Sequence, residues 1–122
     1  MKHALDRNDA QKLVPLIDAI FREVAERRRE VRLLEKQLTA LKEAGVPDTM
    51  SDWDRAQDLR ARLATQRREL RLARKEFERL GCQVDEHNPN RVLILGPNGR
   101  RAFRWDAGDT SVQRLLSESH GT

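Results

Sequence analysis

Cysteine, aromatic residues and long apolar runs are all scarce in this sequence, and each shortage excludes a class of protein. The single cysteine, Cys82, rules out an intrachain disulfide and is typical of a reducing compartment. Aromatic residues make up 4% of the chain and tyrosine is absent, which disfavours a surface that stacks on many bases. No apolar run approaches the roughly 20 residues that span a bilayer. Because the first residues also lack the apolar region of a signal peptide, we expect a cytoplasmic protein without a membrane partner.

Charged residues are abundant instead. They make up 36% of the 122 residues, against about 25% in typical globular chains, whereas hydrophobic residues make up only 38%. Lysine and arginine number 24 and aspartate and glutamate 20, so the formal net charge is +4. The length fits one structural unit of ordinary size, and the low apolar content predicts extensive solvated surface.

Two charged segments have the apolar periodicity of helices, and we expect a helical hairpin over residues 1–80. In the first helix, at about residues 8–44, nine of ten positions spaced three and four residues apart are apolar, and Arg27 is the exception. In the second, at about residues 51–80, seven of eight such positions are apolar, and Gln66 is the exception. The ten positions are Ala10, Leu13, Ile17, Ile20, Val24, Arg27, Val31, Leu34, Leu38 and Leu41, and the eight are Ala56, Leu59, Leu63, Gln66, Leu70, Ala73, Phe77 and Leu80. The pattern predicts a long antiparallel hairpin with a coiled-coil-like seam.

Local signals mark the ends of the two helices. Gly45 suits the left-handed position after the first helix, and the Pro47 that follows cannot continue it. Ser51 is predicted to cap the second helix, and Gly81 to end it. Pro15 lies inside the first apolar pattern, where it either marks the first turn of the helix or kinks it.

The two polar exceptions are predicted to lie in one layer of the hairpin. A loop centred near residues 47–48 brings residues level when their numbers sum to about 95, so Arg27 lies within one turn of Gln66. Two interpretations of this candidate polar layer stay open. Either both side chains bury their stems and keep their polar heads in water, or the pair fixes the register between the helices.

Residues 81–116 are predicted to form a small antiparallel β-meander, which makes the fold class α+β. The stretch Arg91–Leu95 is β-branched and apolar, Gly96–Gly99 is a tight-turn sequence, and Arg100–Trp105 alternates between apolar and charged residues. Together these three stretches indicate a β-hairpin. The residues expected on its buried face are Val92, Ile94, Phe103 and Trp105.

The end of the chain gives weaker local signals. Residues 110–116 could form a last strand or a short helix capped by Asp109 or Thr110. Residues 117–122 are expected to be a frayed tail.

The order and spacing of several motifs resemble the uncharacterised bacterial family known as domain of unknown function 2203. The motifs cover most of the chain and comprise Ala10, Leu13, Pro15, Leu16, a charged helical hairpin, Leu80, Gly81, Cys82, Val84, Gly99, Arg100, Phe103, Trp105, Gly108, Asp109 and Val112. Members of that family are similar in layout, with a long helical hairpin followed by a small β-meander. The resemblance therefore implies this fold and favours a last strand within residues 110–116. The family has no established activity, so the resemblance implies no mechanism.

The chain departs from the polar signature of that family at three places. Asp85–Glu86 stand where the family has Lys-Asp, Arg104 stands where it has a cysteine, and Leu115–Leu116 stand where it has Trp-His. If those groups form a site in other members, the resemblance implies that the site is largely missing here.

No arrangement of residues predicts a metal site, a cofactor or a catalytic set. Cys82 and His87 are five residues apart, but no second cysteine or paired histidine accompanies them, whereas structural zinc takes four ligands. With Asp85 they are the candidates for a nucleophile, a base and an orienting group, yet closeness in sequence says little because triads assemble across a fold. We therefore expect Cys82 to fill space beside the sheet, and we expect a protein that is not an enzyme.

The preferred function is that of a structural or interaction protein that forms a homodimer through its helical hairpin. Two helices alone leave several apolar side chains off the seam, and a second copy would cover them. These off-seam residues are Val14, Phe21, Leu33, Trp53 and Leu72. The candidate interface residues, expected to be the most sensitive to substitution, are Val24, Val31, Leu34, Leu63 and Leu70. A different protein is the alternative partner.

Nucleic-acid binding is the alternative function. Residues 51–80 carry nine Lys and Arg against six Asp and Glu, an excess of 9 − 6 = +3. The candidate phosphate-binding residues, which fall roughly on one side of the helix, are Arg60, Arg67, Arg71, Arg74 and Lys75. Such a stripe could neutralise several phosphates. A charged run on a long helix is more commonly a solvated face, so this function is possible but not favoured.

Overall fold

The computed structural model describes residues 6–45 and 49–115. Within these residues the chain forms three helices and four strands, namely α1 (Arg7–Lys12), α2 (Val14–Glu43), α3 (Met50–Arg79), β1 (Cys82–Val84), β2 (Arg91–Leu95), β3 (Arg101–Asp106) and β4 (Gln113–Arg114). The predicted α+β fold, a helical hairpin followed by a small antiparallel sheet, is confirmed. The predicted loop centre at residues 47–48 and the predicted tail at residues 117–122 lie outside the described residues.

The described chain divides into two compact units. The hairpin unit is residues 23–73, and the sheet unit is residues 6–22 and 74–115. Parts of α2 and α3 therefore belong to each unit. Each unit has its own buried residues.

A break between α1 and α2 accounts for Pro15. The carboxylate of Asp6 caps α1 by accepting from the backbone N–H of Asp9 at 2.7 Å, and α1 ends at Lys12. Because α2 begins at Val14, Pro15 is its second residue, where a missing N–H costs no helical hydrogen bond. Of the two alternatives for Pro15, the first-turn position is therefore confirmed.

Thr49, rather than Ser51, caps α3. The hydroxyl of Thr49 accepts from the backbone N–H of Asp52 at 3.2 Å, and Ser51 is the second residue of the helix. The predicted Ser51 cap is wrong because Thr49, just before the helix, already accepts from the free backbone N–H of Asp52, whereas Ser51 lies within the first turn. Gly81, with φ of +75°, follows the end of α3 as predicted.

The core of the hairpin unit is a narrow apolar seam. Leu34, Leu59 and Leu63 form a buried cluster with exposed fractions of 1, 4 and 7%. Three partly buried side chains of α2 pack against this cluster, namely Val31, Leu38 and Leu41. The three- and four-residue spacing therefore places the predicted apolar positions between the two helices of one chain.

The sheet unit contains an antiparallel meander with strand order β1-β2-β3-β4. Val92 pairs with Trp105 and Ile94 with Phe103, and all four side chains are at most 1% exposed, as predicted. The Phe21 ring meets Trp105 edge to face with the ring centroids 5.5 Å apart. The apolar face of the sheet is thus covered in part by the first turns of α2.

The last strand is held by α1. The Gln11 side chain donates to the carbonyl of Thr110 at 2.7 Å and accepts from the backbone N–H of Val112 at 3.0 Å. These bonds fix an extended chain directly before β4, whose two residues pair with Phe103 and Arg104. The predicted last strand is therefore confirmed.

Candidate functional site

The structure brings the two residues of the candidate polar layer together. The Arg27 guanidinium donates to Oε1 of Gln66 at 3.0 Å, and its Nε lies 3.9 Å from a carboxylate oxygen of Glu23. The Arg27 side chain is 32% exposed, so its stem is covered while part of its charged head reaches water. A role of this pair in fixing the helix register stays a prediction.

The candidate interface residues lie on the seam of the hairpin unit. Val24, Leu34, Leu63 and Leu70 are at most 8% exposed, and Val31 is half-buried. Because the chain itself covers them, substitutions at these positions would act first on the hairpin.

Two of the five off-seam apolar residues are covered within the sheet unit. Val14 is 9% exposed, and Phe21 packs against Trp105. The remaining three stay about half exposed in the hairpin unit, namely Leu33 at 50%, Trp53 at 49% and Leu72 at 50%.

One ion pair shows how the predicted basic stripe lies in the hairpin unit. Arg67 on α3 donates to the Glu35 carboxylate on α2 at 2.9 Å. Residues three, four and seven positions from either partner lie on the same side of their helix. Arg60 and Arg71 therefore share the side of Arg67 and are exposed like it. The other two stripe residues, Arg74 and Lys75, are exposed in the part of α3 that belongs to the sheet unit.

Helix α2 adds basic residues that the sequence alone did not reveal. Arg28 and Arg32 precede Glu35 by seven and three residues, and Lys42 follows it by seven, so all three share the side of the Glu35–Arg67 pair. We name this surface of the hairpin unit the basic face. Its members are Arg28, Arg32, Lys42, Arg60, Arg67 and Arg71, with Glu35 as the acidic residue among them.

The opposite side of the hairpin unit is acidic. Residues two positions from a member of the basic face point about 160° away from it on a helix, and residues seven positions from those share their side. This acidic side carries five acidic residues and two basic ones, namely Glu23, Glu26, Glu30, Asp58, Glu69, Arg55 and Arg62. Arg62 pairs with Asp58 at 3.1 Å and Arg27 lies 3.9 Å from Glu23, whereas the other three carboxylates of this side have no ion pair among the described residues. The charged residues that flank the seam are therefore sorted by sign.

The arginines of the basic face have few acidic partners. Among the described residues no ion pair involves Arg28, Arg32, Arg60 or Arg71. Arg28 and Arg32 are four residues apart, as are Arg67 and Arg71, and like charges at this spacing destabilise a helix by roughly 0.2–0.5 kcal/mol per pair. These two pairs therefore slightly oppose folding of the free protein, whereas the Glu35–Arg67 pair acts in the opposite direction.

The three residues considered for nucleophilic catalysis do not form a relay. Cys82 is buried in β1, and this burial raises the pKa of its thiol to about 11. The Asp85 carboxylate accepts from the backbone N–H of His87 at 2.9 Å, which closes a local turn rather than orienting an imidazole. Within residues 6–45 and 49–115, no group of three or more His, Cys, Asp or Glu side chains could hold a metal ion.

An ionic network crosses β2, β3 and β4 in the sheet unit, and the sequence alone did not identify it. Asp106 lies 2.7 Å from Arg91 and 3.8 Å from Arg104, and Arg104 donates to the Gln113 amide oxygen at 2.6 Å. The hydrogen bond from Arg91 lowers the pKa of Asp106, and its positive charge acts in the same direction. The sequence signal was the pair of opposite charges at the start of β2 and the end of β3, Arg91 and Asp106, but only the strand register shows that these two residues are neighbours.

Comparisons with known proteins place the chain in one family. A family described as "Uncharacterized conserved protein (DUF2203)" matches residues 4–114. No curated protein and no solved structure gives a significant match. In the part of the chain that the structure describes, no helix is long and apolar enough to cross a membrane. Because the family match extends over most of the 122 residues, the resemblance of the motifs is confirmed and the chain belongs to the DUF2203 family of uncharacterized conserved proteins.

Proposed function

We propose that this chain is a non-enzymatic interaction protein whose helical hairpin supplies the contact surface. The observation that carries this proposal is the sorting of charge between the basic face and the acidic side. A solvated helix needs only polar residues, and alternating signs would add favourable pairs between neighbouring turns. Side chains sorted by sign instead create a strong field on each side, which favours association with a charged partner.

The environment of Cys82 supports a non-enzymatic role in a reducing cytoplasm. With a pKa of about 11, the thiol stays protonated near neutral pH and is a poor nucleophile. Its burial also protects it from oxidation, and it has no disulfide partner because it is the single cysteine of the chain.

We propose that one partner of the hairpin is a second copy of this chain, held by exposed apolar residues and not by the sorted charge. Leu33 and Leu72 are each half exposed and lie three residues after Glu30 and Glu69, on the acidic side. Exposed apolar side chains of this kind favour an interface that removes them from water. Two acidic sides repel each other across such an interface, so added salt should strengthen the homodimer.

Sedimentation equilibrium tests the homodimer. We expect a mass near twice 14.2 kDa at tens of micromolar chain, and a return to 14.2 kDa when Leu33 and Leu72 are both replaced by serine. Leu16→Ser is the matched control, because Leu16 is 53% exposed on the same helix as Leu33 but lies outside the hairpin unit. A mass of 14.2 kDa at every concentration, with an unfolding midpoint independent of concentration, would contradict the homodimer.

Nucleic-acid binding is the second candidate function, and the basic face is the observation that favours it. Lysine and arginine side chains that contact phosphates release condensed counterions, so affinity falls steeply as salt rises. This response is opposite in sign to that expected for the homodimer. A gel-shift assay at low salt that detects no complex with DNA or RNA would remove this candidate.

A further inference from the structure

An exposed tryptophan lies in line with the basic face. Trp53 is 49% exposed and precedes Arg60 on α3 by seven residues, or about two helical turns, so both side chains leave the helix on the same side. Trp53 and Arg71 are eighteen residues apart, which corresponds to about 27 Å along the helix. The other tryptophan of the chain, Trp105, is 1% exposed in the sheet unit. The hairpin unit therefore presents one aromatic ring at the end of a row of arginines.

Single-stranded nucleic acid matches both parts of this surface. Its phosphates suit the arginines, and its unpaired bases offer flat apolar faces to an aromatic ring. A duplex offers phosphates but keeps its bases stacked inside. An anionic membrane would require a broad apolar stripe next to the charged one, whereas Trp53 has one exposed apolar neighbour on this side of α3, Met50, and is followed there by Gln57 and Arg60.

We propose that Trp53 and the basic face together bind single-stranded nucleic acid. Arginines of both helices contact the phosphates, and one unpaired base stacks on the Trp53 ring. This inference rests on the nucleic-acid candidate and names its ligand and its contact surface. It also gives a role to Arg28 and Arg32, which raise the positive charge across the seam from α3.

The two kinds of contact have different signatures. Loss of a stacked base lowers affinity by roughly 10- to 100-fold and leaves the salt dependence unchanged. Loss of a phosphate contact lowers affinity and also reduces the slope of log K against log salt by about 0.7 per phosphate on a single strand. Substitutions of Trp53 and of the arginines can therefore be told apart.

The test measures fluorescence anisotropy of a labelled single-stranded oligonucleotide of about 12 nucleotides, titrated with the full chain at several salt concentrations. We expect Trp53→Ala to weaken binding roughly 10- to 100-fold at unchanged slope, and Trp53→Phe to retain most of the affinity. The double variant R60Q/R71Q should weaken binding and reduce the slope by about 1.4. Helicity measured by circular dichroism verifies that each variant folds, as expected for exposed positions.

The matched control is the double variant R55Q/R62Q. It removes the same charge from the same helix but on the acidic side, so we expect affinity and slope close to those of the unchanged chain. Equal losses in R55Q/R62Q and R60Q/R71Q would overturn the assignment to the basic face, since net charge alone would then govern binding.

Other outcomes separate the inference from the function on which it rests. Tighter binding to a duplex of the same length, or an unchanged affinity of Trp53→Ala, would overturn the inference while nucleic-acid binding stands. Binding to phosphatidylserine vesicles that depends on Trp53, without binding to the oligonucleotide, would overturn both in favour of a membrane surface. Binding to neither probe at low salt would also overturn both.

Discussion

Replacing Leu34 by alanine should lower the free energy of unfolding by about 2–3 kcal/mol. Leu34 is 1% exposed and belongs to the seam cluster with Leu59 and Leu63. The substitution removes three carbon atoms from this cluster, and each buried methylene contributes about 0.8 kcal/mol. Transfer alone therefore accounts for about 2.4 kcal/mol, and the cavity left behind adds to this loss.

The cavity contribution should be small because the seam is narrow. The α2 neighbours packed on the cluster, Val31, Leu38 and Leu41, are only partly buried and can move into the space. A cavity that its surroundings can fill costs less than a rigid one, which places the expected loss in the lower half of the range of about 2–5 kcal/mol for a buried leucine.

Urea unfolding followed by far-ultraviolet circular dichroism measures this loss. Leu16→Ala is the control, because it makes the same change on the same helix at a side chain that is 53% exposed. We expect the control to change the free energy of unfolding by no more than about 1.2 kcal/mol, half of the transfer loss at Leu34, since at most half of the side chain leaves water on folding. A loss for Leu34→Ala no greater than that of the control would refute the seam as the source of hairpin stability.

Three further predictions concern individual groups. Burial raises the pKa of Cys82 to about 11 in the folded state, so the stability that the protonated thiol contributes is complete below the ordinary thiol pKa and is lost as pH rises toward 11. The free energy of unfolding, measured by urea titration at a series of alkaline pH values, should therefore fall by up to about 3 kcal/mol. This pH dependence should be smaller in Cys82→Ala. Replacing Arg27 and Gln66 together by leucine should raise the free energy of unfolding by about 1–3 kcal/mol, because apolar contacts replace a partly buried hydrogen bond, and a less stable double variant would contradict this. Arg91 lowers the pKa of Asp106, so the stabilisation from this pair is present above the ordinary carboxyl pKa and is lost as pH falls through the lowered pKa of Asp106. In Asp106→Asn the free energy of unfolding should therefore fall less steeply as pH is lowered.

The helices and the polar pair could be predicted because short-range rules determine them. A three- and four-residue spacing of apolar residues is sufficient to identify a helix face. Once the position of the hairpin loop is known, residues that lie opposite each other have numbers with a constant sum. This rule placed Arg27 near Gln66, and in the structure the two side chains are hydrogen bonded at 3.0 Å. The buried positions of Val92 and Trp105 follow in the same way from the alternation of strands.

Features that depend on contacts between distant segments could not be predicted. The side chain of Gln11 holds the chain at residues 110–112 across about a hundred residues of sequence, and no local signal near Val112 indicates this partner. The pairing of Arg91 with Asp106 depends on the strand register, which shifts between Ile94 and Leu95. In both cases the residue types were visible, but the geometry that joins them was not.

The α3 residues of the basic face could be predicted from the sequence, whereas the α2 residues could not. Arg60, Arg67 and Arg71 stand out because they lie on one helix, whereas Arg28 and Arg32 join them only once the Glu35–Arg67 pair shows which sides of α2 and α3 meet. The narrow seam makes this arrangement possible, because two of the seven positions in each heptad bury the apolar residues and leave both flanks free for charge. Like charges on one flank oppose the folding of the free hairpin, and an anion lying along that flank removes the repulsion. If the proposed nucleic-acid binding holds, the same side chains that oppose folding of the isolated hairpin would stabilise the bound one, and the thermal unfolding midpoint should rise when a single-stranded oligonucleotide is added.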